Sequence, residues 1–148
     1  MKAIGCSARP CVFLAEDDQA LAVMIQYNLE KVGFRVATAS DGDAALAQMS
    51  AACPDFIVLD WMLPRVSGLD LCRKLRSQAA TRHLPVVMIT ARGDPSDLMR
   101  CLEAGADHYL LKPFAVSELI GLVAARLGSA NLRSAPTAAA APPRTNAR

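Results

Sequence analysis

The stretch FIVLDWMLPRVSG, residues 56 to 68, begins as an unbroken apolar run, stops on the carboxylate of Asp60 and turns at Pro64. An apolar run without polar alternation predicts a strand covered on both faces, the mark of a parallel sheet with helices on each side. A buried strand that finishes on an acid needs a reason for that acid.

Working outward, four further runs have strand length: CVFLA (11 to 15), FRVATA (34 to 39), PVVMIT (85 to 90) and DHYLL (107 to 111), with DFIVLD (55 to 60) between them. Helical spacing separates them. Leu21, Met24, Ile25, Leu29 and Val32 form one stripe, and Val116, Leu119, Ile120, Val123 and Leu127 another. Ser40 with Asp43 and Ser67 with Asp70 have capping-box spacing, and Asp94 before Pro95 places a cap ahead of a proline at the first helical position. Five strand and helix pairs predict an α/β fold: a doubly wound five-stranded parallel sheet in the flavodoxin-like order 2-1-3-4-5, with five helices. The folded unit is expected over residues 11–128, after a frayed N-terminus (1–10). Residues 129–148, rich in alanine and proline and without amphipathic pattern, read as a flexible tail or linker.

Composition narrows the classes. The 148 residues are 53% hydrophobic and 20% charged, ordinary for one globular domain. The formal net charge is +2, yet the tail carries Arg133, Arg144 and Arg148 with no acid, which leaves −1 on residues 1–128. Bulk charge therefore gives no sign of a polyanion binder. Five cysteines without a CxxC pair fit a reducing cytoplasm, and no apolar run approaches the ~20 residues that span a bilayer. Met24, Met49, Met88 and Met99 are expected to fill the core.

In an open parallel sheet the carboxyl ends of the strands face one crevice. The first strand ends in Glu16, Asp17 and Asp18, the third in Asp60, the fourth in Thr90, and Lys112 follows the fifth. Adjacent first and third strands bring Glu16, Asp17 and Asp60 together, where mutual repulsion raises their pKa values unless a cation sits among them. Oxygen ligands and high charge point to a hard divalent ion, Mg²⁺. Neither His83 nor His108 has a partner at ligand spacing, and both are expected at the surface. Taken alone, Asp17 fits a helix N-cap equally well.

With those residues in place, AEDD, LDWMLPRVSG, TA at 90 and 91 and LLKPF at 110 to 114 resemble the response-regulator receiver domain of bacterial two-component signalling, and most of all receivers of the winged-helix DNA-binding class. The resemblance covers about residues 11 to 128. It implies that Asp60 accepts a phosphoryl group from a histidine kinase or phosphotransfer protein. It also implies that Asp17, Asp60 and the Met62 backbone carbonyl hold Mg²⁺, with Glu16 acting through water. Lys112 and Thr90 would bind the phosphoryl oxygens, Thr90 and Tyr109 would form the switch, and the Lys112–Pro113 bond would be cis. Met62 and Arg92 stand where the family tunes phosphoryl lifetime.

Such a chain would be no enzyme beyond promoting its own phosphorylation and dephosphorylation. It would bind neither membrane nor nucleic acid itself, and would at most form a weak homodimer through the helices after strands 4 and 5. Twenty residues after Gly128 are too few for a winged helix, so the chain reads as a stand-alone receiver or a fragment of a transcription regulator. An aspartyl-nucleophile phosphatase would need an acid two residues after Asp60, where Met62 stands. A flavin-binding relative of the same fold would need a hydroxyl-rich phosphate loop, where this chain has Glu16-Asp17-Asp18.

Overall fold

The computed structural model describes residues 9–128. Ten elements alternate: β1 (Cys11–Ala15), α1 (Gln19–Lys31), β2 (Arg35–Ala39), α2 (Gly42–Ala52), β3 (Phe56–Asp60), α3 (Gly68–Ser77), β4 (Val86–Thr90), α4 (Pro95–Glu103), β5 (His108–Leu111) and α5 (Val116–Leu127). The sheet is parallel throughout in the expected order β2-β1-β3-β4-β5. The expected frayed N-terminus, beyond Arg9 and Pro10, and the whole tail lie outside the described residues.

Strand alternation divides the core into two layers. Phe13, Ile57, Leu59, Val86 and Met88 pack on one face with Met49 of α2, Leu71, Cys72 and Leu75 of α3 and Cys101 of α4. Val12, Leu14, Phe56, Val58, Val87 and Ile89 pack on the other with Ile25 and Leu29 of α1 and Leu119 and Val123 of α5. Every residue of β1, β3 and β4 is buried, which explains their continuous hydrophobicity. Each fully buried large side chain contributes about 1.5–3 kcal/mol.

Local chemistry starts the helices, with corrections to the sequence reading. Ser67 Oγ accepts the Asp70 N–H at 3.2 Å, as its spacing predicts. α2 is capped by Asp41, whose Oδ1 accepts the Ala44 N–H at 2.7 Å, and not by Ser40. The helix is held in that phase because Gly42 donates to the Pro64 carbonyl and lies so close to Val66 that a side chain there would overlap it. Asp94 precedes Pro95 as expected but makes no side-chain cap bond. Met49 and Met88 are in the core, whereas Met24 and Met99 are exposed, since inward positions on α1 and α4 are filled by Ile25, Leu29 and Cys101. His83 and His108 are at the surface as expected.

Two features stand at the N-terminal edge of the sheet. Arg76 of α3 donates from Nε to the Gly105 carbonyl (2.9 Å), from Nη1 to the Leu84 and Arg82 carbonyls (2.6 and 2.9 Å) and from Nη2 to Asp107 Oδ2 (3.0 Å). Asp107 Oδ2 in turn accepts the Val86 N–H at 2.8 Å. α5 ends at Gly128, in the left-handed conformation (φ 58°, ψ 46°), with its N–H bonded to the Ala124 carbonyl. That turn is the usual way a helix is stopped and the chain redirected.

Candidate functional site

The carboxyl edge of the sheet collects the acids. β1 continues into Glu16, whose N–H donates to Ala39 at 3.0 Å, and β3 delivers Asp60 beside it. Ligand oxygens of Glu16, Asp17 and Asp60 all lie within 4.8 Å of one another. The cap role open to Asp17 is taken by its neighbour: Asp18 Oδ1 accepts the Leu21 N–H at the start of α1. Asp17 is left exposed at the mouth of the cluster.

Glu16 is buried, with Oε2 accepting the Asp18 N–H at 3.1 Å and Oε1 without a hydrogen-bond partner among the described residues. Burial pushes its carboxyl up to about 7; the Asp18 N–H opposes this, Asp60 adds to it, and the Lys112 charge opposes it again. Lys112 Nζ sits 3.3 Å from Asp60 Oδ2 and 3.5 Å from Glu16 Oε1. Burial pulls the ammonium pKa down, but the two carboxylates outweigh that and hold it raised, hence charged. The other Asp60 oxygen, Oδ1, accepts the Met62 N–H at 3.2 Å. Clustered hard oxygen donors, one of them buried with no hydrogen bond and only the 3.5 Å ion pair to Lys112, fit a small divalent cation.

Thr90, wholly buried, ends β4 with Oγ1 accepting the Arg92 N–H at 2.8 Å. The Lys112 N–H donates to the Thr90 carbonyl at 2.9 Å, so the loops after β4 and β5 are tied together. The Lys112–Pro113 bond is cis, as expected from the resemblance. Tyr109 is half-buried, paired with Met88 in register and packed against the layer that holds α3 and α4. Met62 is exposed.

One assembly was not read from the sequence. Trp61, buried directly after Asp60, carries the Arg92 guanidinium 5.0 Å and the Arg100 guanidinium 5.3 Å from its ring. Asp97 holds both arginines, at 3.3 Å from Arg92 Nε and 3.7 Å from Arg100 Nη1. Only the i, i+3 pair Asp97–Arg100 is a local sequence signal. The stack joins the end of β3 to both ends of α4, Asp97 in its first turn and Arg100 in its last.

A family model described as the response regulator receiver domain matches residues 12–124. The phosphate regulon transcriptional regulatory protein PhoB of Rhizobium meliloti is 48% identical over 118 residues, 80% of this chain and 52% of that protein. PhoB of Escherichia coli is 42% identical over 114 residues, 77% of this chain and 50% of that protein. The chain thus spans about half the length of the curated relatives it matches. Among solved structures, a response regulator of Chloroflexus aurantiacus superposes with a TM-score of 0.76 at 36% identity, covering 82% of this chain and 99% of that one. The receiver domain of a sensor histidine kinase of Pseudomonas aeruginosa, solved with a magnesium ion coordinated in its active-site cleft, gives a TM-score of 0.74 at 32% identity, covering 82% of this chain and 100% of that one.

Proposed function

Because this chain belongs to the response regulator receiver domains of two-component signalling, we propose that Asp60 is its phosphoacceptor, charged by a histidine kinase or a phosphotransfer protein. The observation that carries the assignment is a buried carboxylate at the end of a central strand, 3.3 Å from a charged ammonium and within 4.8 Å of two more acids. Asp17, Asp60 and the Met62 carbonyl would hold Mg²⁺, with Glu16 acting through a bound water. That ion supplies neutralisation of phosphoryl oxygens and alignment for in-line transfer.

An Asp60 oxygen attacks phosphorus, the bond from phosphorus to the donor's imidazole nitrogen breaks, and the electron pair stays with that nitrogen. An acyl phosphate results. Lys112, already charged against Asp60, follows the negative charge onto the phosphoryl oxygens. Thr90 Oγ accepts a bond from Arg92 and keeps its own hydrogen to donate to a phosphoryl oxygen. Its turn toward the site opens space that Tyr109 fills by rotating further inward, and this shift on β4, β5, α4 and α5 is the signal. Phosphate-ester turnover is not part of the reading, since Met62 offers no acid two residues beyond the nucleophile.

The chain has no described helix long and apolar enough to cross a membrane. We place its work in the cytoplasm, as a receiver within or beside a transcription regulator, with phosphorylation and dephosphorylation of itself as its only chemistry. Acetyl phosphate with Mg²⁺ should label the protein once. Asp60→Asn and chelation should each remove the label, and wild-type labelling of Asp60→Asn would overturn the assignment.

A further inference from the structure

Arg92 stands two residues beyond Thr90, on the loop that the Lys112 N–H ties to β5 through the Thr90 carbonyl. Its backbone N–H donates to Thr90 Oγ1 at 2.8 Å, so the residue starts out beside the phosphoacceptor site. Its guanidinium lies elsewhere, 5.0 Å from the Trp61 ring, with Nε 3.3 Å from Asp97 Oδ2. The acid cluster attracts any cation nearby, since Glu16, Asp17 and Asp60 bring three carboxylates and Lys112 is the cation paired with them. Something must therefore hold Arg92 away. The ring is shared with a second guanidinium, that of Arg100 at 5.3 Å, and two like charges at one ring repel each other. Asp97 is the acid that answers both, and its side chain is only 14% exposed, so water screens these pairs less than ordinary surface pairs. Arg100 is carried by the last turn of α4 and Arg92 by a loop, so loss of the acid would free Arg92 first.

We propose that Asp97 is a positioning residue for the metal site: by holding the Arg92 guanidinium on Trp61, it keeps that cation out of the acid cluster and leaves the carboxylates open to Mg²⁺. The inference rests on the reading of Glu16, Asp17 and Asp60 as the metal site, and extends it to a residue of α4 outside that cluster. A turn of Thr90 toward a phosphoryl group lengthens its bond to the Arg92 N–H, and Asp97 with the ring is then the hold that remains. Released, Arg92 competes with the ion for the same oxygens.

Mg²⁺ binding to the full 148-residue chain, followed by titration calorimetry without phosphodonor, is the test. Asp97→Asn should raise the Kd for Mg²⁺ by roughly two- to fivefold, the scale of one exposed ion pair. Because the asparagine amide oxygen is itself an acceptor for Arg92 Nε, Asp97→Ser repeats the measurement with that oxygen drawn back. Asp97→Glu should return the Kd toward wild type, and in an Arg92→Gln background neither substitution should add to the effect of Arg92→Gln alone. A Kd unchanged in both Asp97→Asn and Asp97→Ser would overturn the proposal. So would a rise that persists in full with Arg92→Gln, which would mean that the Asp97 charge acts on the ion directly. Trp61 emission, read without metal, should move the same way in Asp97→Ser as in Arg92→Gln; emission indifferent to Asp97→Ser would overturn the hold itself. A wild type that binds no Mg²⁺ would overturn the metal assignment and this inference with it, whereas normal wild-type binding with either failure above overturns the inference alone.

Discussion

Glu16 has lost most of its hydration and gained a single backbone donor, and the consequence is measurable without any phosphodonor. A carboxyl raised to about 7 keeps a proton in the folded state that the unfolded chain has already released, so between roughly pH 4.5 and 7 this group makes stability fall as pH rises. In chelator, thermal unfolding of the wild type should therefore weaken more steeply from pH 5 to 8 than that of Glu16→Gln, and Mg²⁺ should restore the wild type most at high pH. Equal slopes would show that Glu16 is not held up by its burial. A second residue-scale effect comes from Gly68, where a Cβ would overlap the Asp60 carbonyl oxygen and stand 2.9 Å from its carbon. Gly68→Ala should displace the end of β3 and slow labelling by acetyl phosphate well below the wild-type rate, while an unchanged rate would mean that the loop yields without moving Asp60. Glu16, Asp60, Thr90 and Lys112 were legible in the sequence because each stands where an apolar strand ends. Gly68 was not, because its neighbour is a backbone atom eight residues away, and no local pattern records that approach.

Between elements, the Trp61 stack is the notable joint: β3 supplies the ring, the loop after β4 supplies Arg92, and α4 supplies Asp97 and Arg100. Each stacked guanidinium is worth about 0.5–1 kcal/mol at an exposed site. Trp61 emission should thus report both the ion and α4. Mg²⁺ should change it in the wild type and not in Asp17→Asn, whereas Arg100→Ala should alter the starting emission and leave Asp60 able to accept phosphate. Emission indifferent to Arg100→Ala would detach the ring from α4. Strand and helix identities followed from periodicity, since β1, β3 and β4 are buried on both faces and α1 and α5 keep one face inward. The cap of α2 escaped that reading because Ser40 and Asp41 are equally good capping chemistry, and packing of Gly42 on the loop at Pro64 and Val66 chose between them.

At the scale of the whole molecule, α4, the turn before β5 and α5 carry Glu103, Asp107 and Glu118, but α5 answers with Arg126 alone and has Leu122 and Ala124 at neighbouring positions. Exposed ion pairs contribute only about 0–1 kcal/mol each, so a symmetric association built from so few of them is weak. Sedimentation of the beryllofluoride-treated protein at micromolar concentration should show monomer or a weak dimer. A tight dimer broken by charge reversal at Glu103 or Glu118 would overturn this. The anchorage at Arg76 also sets how such a molecule can move. By gripping Leu84, Gly105 and Asp107, it fixes β4 and β5 at their leading ends, while Thr90 and Lys112 sit at their trailing ends. A beam clamped at one end deflects most at the other. A disturbance at Asp60 would on this geometry be taken up in the trailing half of the sheet and in the loops that follow it, while the clamped end holds its place.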